Sequence, residues 1–192
     1  MSRFAEITRN TAETQITASV ELDGEGKSVI STGIPFMDHM LTLFAKHGFF
    51  DLEVTAKGDL EVDCHHTVED VGIVLGKALF ECLGDKSNIV RYGSFFVPMD
   101  EALGFCAVDI CNREYLVFEA YFPQEKCGDF DACMCVEFFR AVADNAKITL
   151  HLRAPYGDNS HHIAEAIFKA FGHAMSIAVE PSNKTLSTKG TL

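Results

Sequence analysis

The stretch DCHHTVEDVG, residues 63–72, places two adjacent histidines ahead of a glutamate, and the stretch NSHHIAEAIF, residues 159–168, repeats that arrangement. In both stretches the glutamate stands four positions after the first histidine. Side chains four apart lie on one face of an α-helix, and an apolar pattern of helical period continues from each stretch. Each stretch therefore predicts the start of a helix on which a histidine and a glutamate lie side by side.

The elements around the two stretches also occur in the same order. Apolar alternation and helical periodicity predict two strands, a helix, a strand and a second helix in the first part of the chain, and the same order in the second part. The predicted strands cover 15–22, 28–32, 50–57, 103–110, 114–121 and 148–153, and the predicted helices cover 33–48, 65–83, 135–145 and 161–179. The first two strands are expected to form a hairpin across the sequence DGEGKS.

This repetition predicts an internally duplicated α+β fold. Each half is expected to be a β-β-α-β-α unit, in which a sheet carries its helices on one face, and a pseudo-twofold axis is expected to relate the halves. We place the halves at about 1–90 and about 91–192, within one domain that spans residues 1–192.

The composition excludes several classes of protein. With 192 residues, of which 47% are hydrophobic, the chain can form one sizeable core or two small fused ones, and it has no apolar stretch long enough to span a membrane. A net charge of −12 argues against nucleic acid or a membrane surface as a partner. The N-terminus lacks a signal-peptide pattern, and seven cysteines without a CxxC motif fit reduced, mostly buried thiols. We therefore expect a cytoplasmic protein.

The two histidine–glutamate pairs have the chemistry of metal ligands. His65 with Glu69, and His161 with Glu165, can each hold a divalent cation from one face of a helix. The second histidine of each stretch lies about 100° around the helix and needs a different partner. A single pair of histidines at a helix start is more often a solvated or capping feature, but the repetition with a glutamate in phase favours metal binding.

Pseudo-symmetric halves suggest how two ions could be shared. In the economical arrangement, each ion takes the histidine–glutamate pair of one half and the second histidine, His66 or His162, of the other half. A fourth ligand is expected from the preceding helix, which carries His39 in the first half and Glu137 at the matching place in the second. Imidazole and carboxylate ligands suit Mn, Fe or Zn, and the pattern does not choose among these metals.

Eight short motifs, in their order and spacing, resemble the imidazoleglycerol-phosphate dehydratase family over nearly the whole chain. They are RNTAET at 9–14, DHML at 38–41, HHTVEDVGIVLG at 65–76, RYG at 91–93, PMDEAL at 98–103, TLH at 149–151, NSHHIAEAIFKAFGHAM at 159–175 and STKG at 187–190. The resemblance implies a lyase of histidine biosynthesis with two Mn2+ ions per active site. It also implies a small phosphorylated imidazole as substrate, and a homo-oligomer of trimers that forms an octahedral shell of twenty-four subunits with sites between subunits.

The resemblance further implies which side chains hold the ions. One ion is expected to bind His39, His66, His161 and Glu165, and the other is expected to bind His65, Glu69, His162 and Glu137. The family often has histidine at the position of Glu137. Glu13, in the motif RNTAET, corresponds to a carboxylate that acts in acid–base chemistry beside the metals, and the ligands Glu69 and Glu165 are grouped with it as catalytic carboxylates.

The phosphate group of the substrate is expected to meet a scattered set of polar and cationic side chains, none of which would stand out without the resemblance. They are His47, Arg91, Arg113, Lys169, Ser187 and Lys189. The turn before Arg113 departs from the family, because DICNR at 109–113 has Cys111 and Asn112 where relatives usually have Ser-Gly. The direction in which this turn aims Arg113 is therefore open.

The implied reaction expels hydroxide beside the imidazole ring and removes a proton from a carbon that no carbonyl acidifies. If each ring nitrogen binds a different metal, the ring is held as imidazolate and can expel the hydroxyl group through a diazafulvene-like intermediate. Glu13 is the expected base for the C–H proton, and the resulting enol tautomerises to the ketone. Two other classes compete: a two-metal hydrolase, which would usually add bridging carboxylates, and a metal-dependent assembly module, which would not need cations that converge on an anion.

Overall fold

Residues of the first half form a four-stranded sheet and two helices in this computed structural model, which describes residues 3–183 and 186. The strands are β1 (Phe4–Asn10), β2 (Thr14–Glu21), β3 (Ser28–Ser31) and β4 (Asp51–Gly58). The helices are α1 (Pro35–Gly48) and α2 (His65–Leu83). The sheet order is β1-β2-β4-β3, with β3 parallel to β4 and the other neighbours antiparallel.

The second half repeats this plan. Its main strands are β5 (Tyr92–Met99), β6 (Ala102–Asp109), β7 (Tyr115–Ala120) and β10 (Thr149–Tyr156), its helices are α3 (Met134–Ala146) and α4 (Ser160–Val179), and a small hairpin is formed by β8 (Lys126–Cys127) and β9 (Phe130–Asp131). The sheet order β5-β6-β10-β7 corresponds strand by strand to that of the first sheet. The predicted α+β class and the internal duplication are confirmed.

The four-stranded sheet of each half has one strand more than the sequence pattern predicts, because that pattern does not reveal β1 or β5, and it does not reveal the small β8–β9 hairpin either. Strands β1 and β5 lie at sheet edges. No residue of β1 is fully buried, and β5 contains Gly93 and Pro98, two residue types that are unfavourable in strand interiors. An edge strand with a weak apolar pattern is recognised only through its backbone partner.

The expected hairpin between β2 and β3 is wrong, because β4 lies between these two strands. The loop that contains DGEGKS folds onto the start of β4 instead. There, the side chain of Asp51 accepts hydrogen bonds from the backbone N–H groups of Glu25 and Lys27 at 2.8 and 2.9 Å. The chain passes over the end of β4 at this contact, and β3 then pairs with the edge of β4 that faces away from β2.

The helices lie between the two sheets and share one hydrophobic core. Helix α2 packs against β1, β2 and α3, while α1 packs against α4, where the rings of Phe44 and Phe171 stack with centroids 4.9 Å apart. Gly104 allows α4 to lie directly on the second sheet, since a Cβ at this position would stand 2.4 Å from the carbonyl carbon of Ala166. The core thus fixes the three helices that carry the histidines of interest.

Two expectations from the composition can be compared with this fold. Six of the seven cysteines are buried, which confirms the expectation of mostly buried thiols. Within the described part of the chain, none of the helices combines the length and the apolarity that a membrane crossing requires.

Lys86 is a buried cation that joins the ends of two helices. Its side chain is fully buried beside the ring of Phe80, and its Nζ donates hydrogen bonds to the carbonyl oxygens of Ala146 and Lys147 at 3.0 and 3.1 Å. These carbonyls lie at the C-terminal end of α3, where the last C=O groups have no partners within the helix. Burial lowers the pKa of Lys86 to about 8.

We expect Lys86 to make the free energy of unfolding depend on pH between about 8 and 10.5. A lysine in the unfolded chain keeps its ordinary pKa of 10.5, so the unfolded state binds more protons in this window and the stability contribution of Lys86 rises as the pH increases. The variant Lys86→Met lacks this contribution. The difference in unfolding free energy, wild type minus variant, should therefore increase by roughly 2–3 kcal/mol across the window. Denaturant titrations at both pH values measure it, and a constant difference would contradict the account.

Candidate active site

Helices α1 and α4 bring three potential metal ligands together. The Nε2 atoms of His39 and His161 lie 3.5 and 3.2 Å from Oε2 of Glu165. One ligand atom from each of the three side chains lies within 4.8 Å of the other two. Within residues 3–183 and 186, no other group of three histidine, cysteine or acidic side chains is as close.

Polar contacts fix the starts of both helices near these ligands. Pro35 opens α1 with a backbone angle suited to a first turn, and Asp38 accepts hydrogen bonds from the backbone N–H and the hydroxyl of Thr32 at 2.8 and 2.5 Å. At the start of α4, the side chain of Asn159 accepts a hydrogen bond from the backbone N–H of His161 at 2.9 Å. The two ligand-bearing helices therefore begin at defined residues.

The chemistry of this cluster fits a divalent transition metal. Two imidazoles and one carboxylate provide the nitrogen and oxygen donors that Mn, Fe and Zn accept. Burial opposes the charge of Glu165, but the ammonium of Lys169 at 2.5 Å and the imidazole of His39 outweigh this effect and lower its pKa. These contacts thus favour the ionised carboxylate of Glu165. The half-exposed side chains of His39 and His161 leave the cluster open to a further ligand.

The corresponding pair in the first half is also formed. Nε2 of His65 lies 3.6 Å from Oε2 of Glu69, and Asp63 accepts a hydrogen bond from the backbone N–H of His65 at 2.7 Å. Glu137, the expected fourth ligand, forms an ion pair with Arg140. Among the residues that the structure describes, no third ligand joins His65 and Glu69. One chain thus holds a three-ligand cluster and a two-ligand pair.

The second histidine of each stretch contacts a carboxylate through Nδ1. Nδ1 of His66 lies 2.9 Å from Oδ2 of Asp59, and Nδ1 of His162 lies 2.7 Å from Oε2 of Glu101. These hydrogen bonds raise the pKa of both imidazoles. Neither histidine joins the three-ligand cluster of its own chain. Asp59 and Glu101 were not among the predicted site residues, and the motif PMDEAL, which contains Glu101, was the only signal for either.

Glu13 lies on the turn between β1 and β2, and its carboxylate is 3.8 Å from Nδ1 of His66. Asp70, which follows Glu69 on α2, anchors this turn. Its carboxylate accepts hydrogen bonds from Nε of Arg9 at 3.0 Å and from the hydroxyl of Thr14 at 2.5 Å. The anchored turn therefore holds Glu13 beside the first histidine pair.

Asp109 links two of the predicted phosphate-binding arginines. Arg91 donates to it through Nε and Nη2 at 2.7 and 3.1 Å, and donates another hydrogen bond to the carbonyl oxygen of Leu186. Arg113 lies 3.6 Å from the same carboxylate, and its side chain is 65% exposed. The turn before Arg113 contains Asn112 at φ 57°, a left-handed conformation that asparagine tolerates better than most residues. Asparagine therefore keeps a conformation that glycine adopts readily.

The other predicted phosphate-binding residues have separate surroundings. Lys169 pairs with Glu165 along α4. Nδ1 of His47 lies 3.1 Å from Nε2 of His173, whose ring stacks on Phe95 with centroids 4.3 Å apart. Burial, followed by the proximity of His173, lowers the pKa of His47. Ser187 and Lys189 lie outside the described residues.

Comparisons with known proteins agree on one family. The family model described as imidazoleglycerol-phosphate dehydratase matches residues 32–175. Relatives of that name from Acetivibrio thermocellus and Listeria welshimeri are 59% and 57% identical over 100% and 99% of this chain, and over 100% of each relative. The crystal structure of imidazoleglycerol-phosphate dehydratase from Staphylococcus aureus has a TM-score of 0.85 at 44% identity, over 93% of this chain and 99% of that one. The Pyrococcus furiosus structure, in complex with (S)-C348, has a TM-score of 0.85 at 37% identity, over 97% of this chain and 100% of that one.

Proposed function

Because the chain belongs to the imidazoleglycerol-phosphate dehydratase family, a family of hydro-lyases in histidine biosynthesis, we propose that it converts imidazoleglycerol phosphate to imidazole acetol phosphate with two bound divalent metal ions. Manganese is the expected metal. The observation that carries the proposal is the cluster of His39, His161 and Glu165, whose ligand atoms lie within 4.8 Å of one another. This cluster supports the proposal because an ionised carboxylate and two half-exposed imidazoles offer oxygen and nitrogen donors that divalent metals accept.

The two ions would be held by ligands of both halves. The first ion would bind His39, His161, Glu165 and His66, and the second would bind His65, Glu69, His162 and Glu137. When bound, the ions would supply Lewis acidity that favours the deprotonated imidazole ring of the substrate, and such a ring could help to expel the hydroxyl group as hydroxide. His66 does not join the cluster of its own chain, which supports sites completed by a neighbouring subunit.

Glu13 is the residue best suited to move the proton of the C–H bond. Its side chain is 55% exposed, and the anchored turn holds it 3.8 Å from His66. A general base must reach the proton it removes and must not be occupied by other strong contacts. Glu69 and Glu165, by contrast, already contact histidines. Their proposed role in catalysis is to bind the metal ions.

The phosphate group would be held away from the ring by cations. Arg113 offers an exposed guanidinium, whose planar fork suits phosphate oxygens, and Arg91 supports it through their shared contact with Asp109. Lys169 lies one turn from Glu165 on α4 and can bridge the metal-binding and phosphate-binding parts of the site. His47, Ser187 and Lys189 complete the proposed set.

The proposed assembly is a homo-oligomer of trimers, extended to an octahedral shell of twenty-four subunits. The outer face of the second sheet supports a subunit interface, because Phe96 and Tyr115 on this face are 60% and 63% exposed and the ring of Phe96 lies against that of Phe105, with centroids 4.4 Å apart. Exposed aromatic side chains are enriched at protein interfaces. We propose a cytoplasmic enzyme with a small-molecule substrate and without a nucleic-acid or membrane partner.

We expect metal-stripped protein to form no ketone from imidazoleglycerol phosphate, and protein reconstituted with Mn2+ to form it. A coupled assay for the ketone measures turnover, and light scattering on the same samples measures particle size. Because the ligands of one ion come from different subunits, the particle should shrink when metal is removed. Full turnover by the stripped protein would refute the metal dependence. Release of inorganic phosphate would indicate a hydrolase, and metal-dependent assembly without turnover would indicate an assembly module.

A further inference from the structure

The two halves use the same turn in different ways. The turn between β5 and β6 contains Glu101, and the turn between β1 and β2, which occupies the corresponding place in the first half, contains Glu13. Glu101 lies 2.7 Å from Nδ1 of His162, whereas Glu13 lies 3.8 Å from Nδ1 of His66. The carboxylate in direct contact with His66 is instead Asp59, at 2.9 Å.

We propose that Glu101 is a positioning residue, which holds His162 in the tautomer that can bind a metal ion through Nε2. This inference rests on the proposed metal chemistry. A neutral imidazole carries one N–H, and an ionised carboxylate can only accept a hydrogen bond. Nδ1 of His162 therefore carries the proton, and the lone pair lies on Nε2. Asp59 has the same relation to His66 in the first half.

The other contacts of Glu101 distinguish it from a proton-transfer group. Its Oε1 accepts hydrogen bonds from the backbone N–H groups of Asp158 and Asn159 at 3.1 and 2.9 Å, while Oε2 accepts the bond from His162. Both oxygens of Glu101 are thus occupied by hydrogen bonds, unlike those of a carboxylate that is free to transfer a proton.

Glu101 also connects two elements of the site. Asp158 and Asn159 directly precede α4, the helix that carries both histidines of the second pair. A carboxylate that binds these two amides and His162 fixes the position of the helix start and the orientation of the ring together. The competing account is that Glu101 only anchors this loop and has no influence on the tautomer.

Glu101→Gln separates the two accounts. The glutamine keeps an oxygen for the amides of Asp158 and Asn159, but its NH2 group would face His162 and would require Nδ1 to accept a hydrogen bond. The proton of the imidazole would then lie on Nε2, which blocks this atom as a ligand. The substitution therefore preserves the loop contacts and reverses the tautomer.

The expected result is a loss of affinity for one of the two Mn2+ ions by about 10- to 100-fold, the usual effect of removing a group that orients a metal ligand. Calorimetric titration of the stripped protein with Mn2+ measures both sites. Glu25→Gln is the matched control, because Glu25 is an exposed carboxylate whose side chain pairs with Lys27. Unchanged affinity in Glu101→Gln, with the control also unchanged, would overturn the proposal.

A second measurement does not depend on metal binding, and so distinguishes failure of this inference from failure of the proposed function. Solid-state 15N NMR of histidine-labelled, metal-free protein at alkaline pH reports the tautomer of each neutral imidazole, and His162→Asn identifies the signal. We expect the Nδ1–H form for His162 in the wild type and the Nε2–H form in Glu101→Gln. An Nε2–H form in the wild type would overturn the inference even if the protein binds two ions.

Discussion

Replacing His161 with alanine is expected to abolish turnover and to remove one metal ion per active site. His161 supplies one of the three ligand atoms in the cluster with His39 and Glu165, and its Nε2 lies 3.2 Å from that carboxylate. Without it, Glu165 retains its ion pair with Lys169, a contact that competes with a weakened metal site. Removing a group that only orients a metal ligand lowers activity by up to about a hundredfold. Because His161 is itself a proposed ligand, we expect its removal to lower the rate by more than that.

Metal analysis and the coupled assay on the same preparation test this expectation. His65→Ala should behave in the same way but should remove the other ion, since His65 pairs with Glu69 at the start of α2. His151→Ala is the matched control, because His151 lies on β10 outside both groups. If His161→Ala retained both ions and the full rate, the assignment of the cluster as a metal site would be wrong.

Replacing Glu13 with glutamine is expected to lower the rate by about 10²- to 10⁴-fold, the usual contribution of a general acid or base, while both metal ions stay bound. The amide has nearly the shape of the carboxylate but cannot accept the C–H proton. Glu13 is not among the proposed ligands, and its 3.8 Å separation from His66 is too long for a hydrogen bond on which metal binding would depend.

The control for this prediction is Glu6→Gln, which makes the same chemical change at an exposed position of β1. Rate and metal content should both be unchanged in the control. A Glu13→Gln protein that keeps the wild-type rate would exclude Glu13 as the base. A Glu13→Gln protein that loses metal would show that Glu13 supports ligation instead.

The sequence predicts the helices of the site well because their signals are local. Helix α2 begins at His65 and ends at Leu83, as predicted, since the apolar period runs through the whole segment and Gly84 follows it. The spacing of His65 and Glu69 is sufficient to predict their contact, because the geometry of one helix determines it. The duplication is likewise visible in the chain itself.

Contacts between distant elements were not predictable in this way. Asp59 and Glu101 reach their histidines from a strand end and a turn, and such positions have no periodic signal. β4 lies between β2 and β3, and a side chain of β4 binds the loop before β3, a contact that has no local signal in the sequence. Only the packed structure brings these groups together, so the sequence indicated the candidate ligands but not the carboxylates that contact His66 and His162.

The unequal turns of the two halves have an evolutionary consequence. Two identical half-length chains that paired around a true twofold axis would carry the same residues at both turns, and any change would appear twice. Covalent fusion removes that constraint. In this chain Glu101 accepts three hydrogen bonds, while Glu13 keeps an exposed carboxylate beside His66 because Asp59 occupies the nearer place. The residue after β10, where the second half would have its equivalent of Asp59, is Gly157. Within one fused chain, the two corresponding turns can thus place their carboxylates in different surroundings.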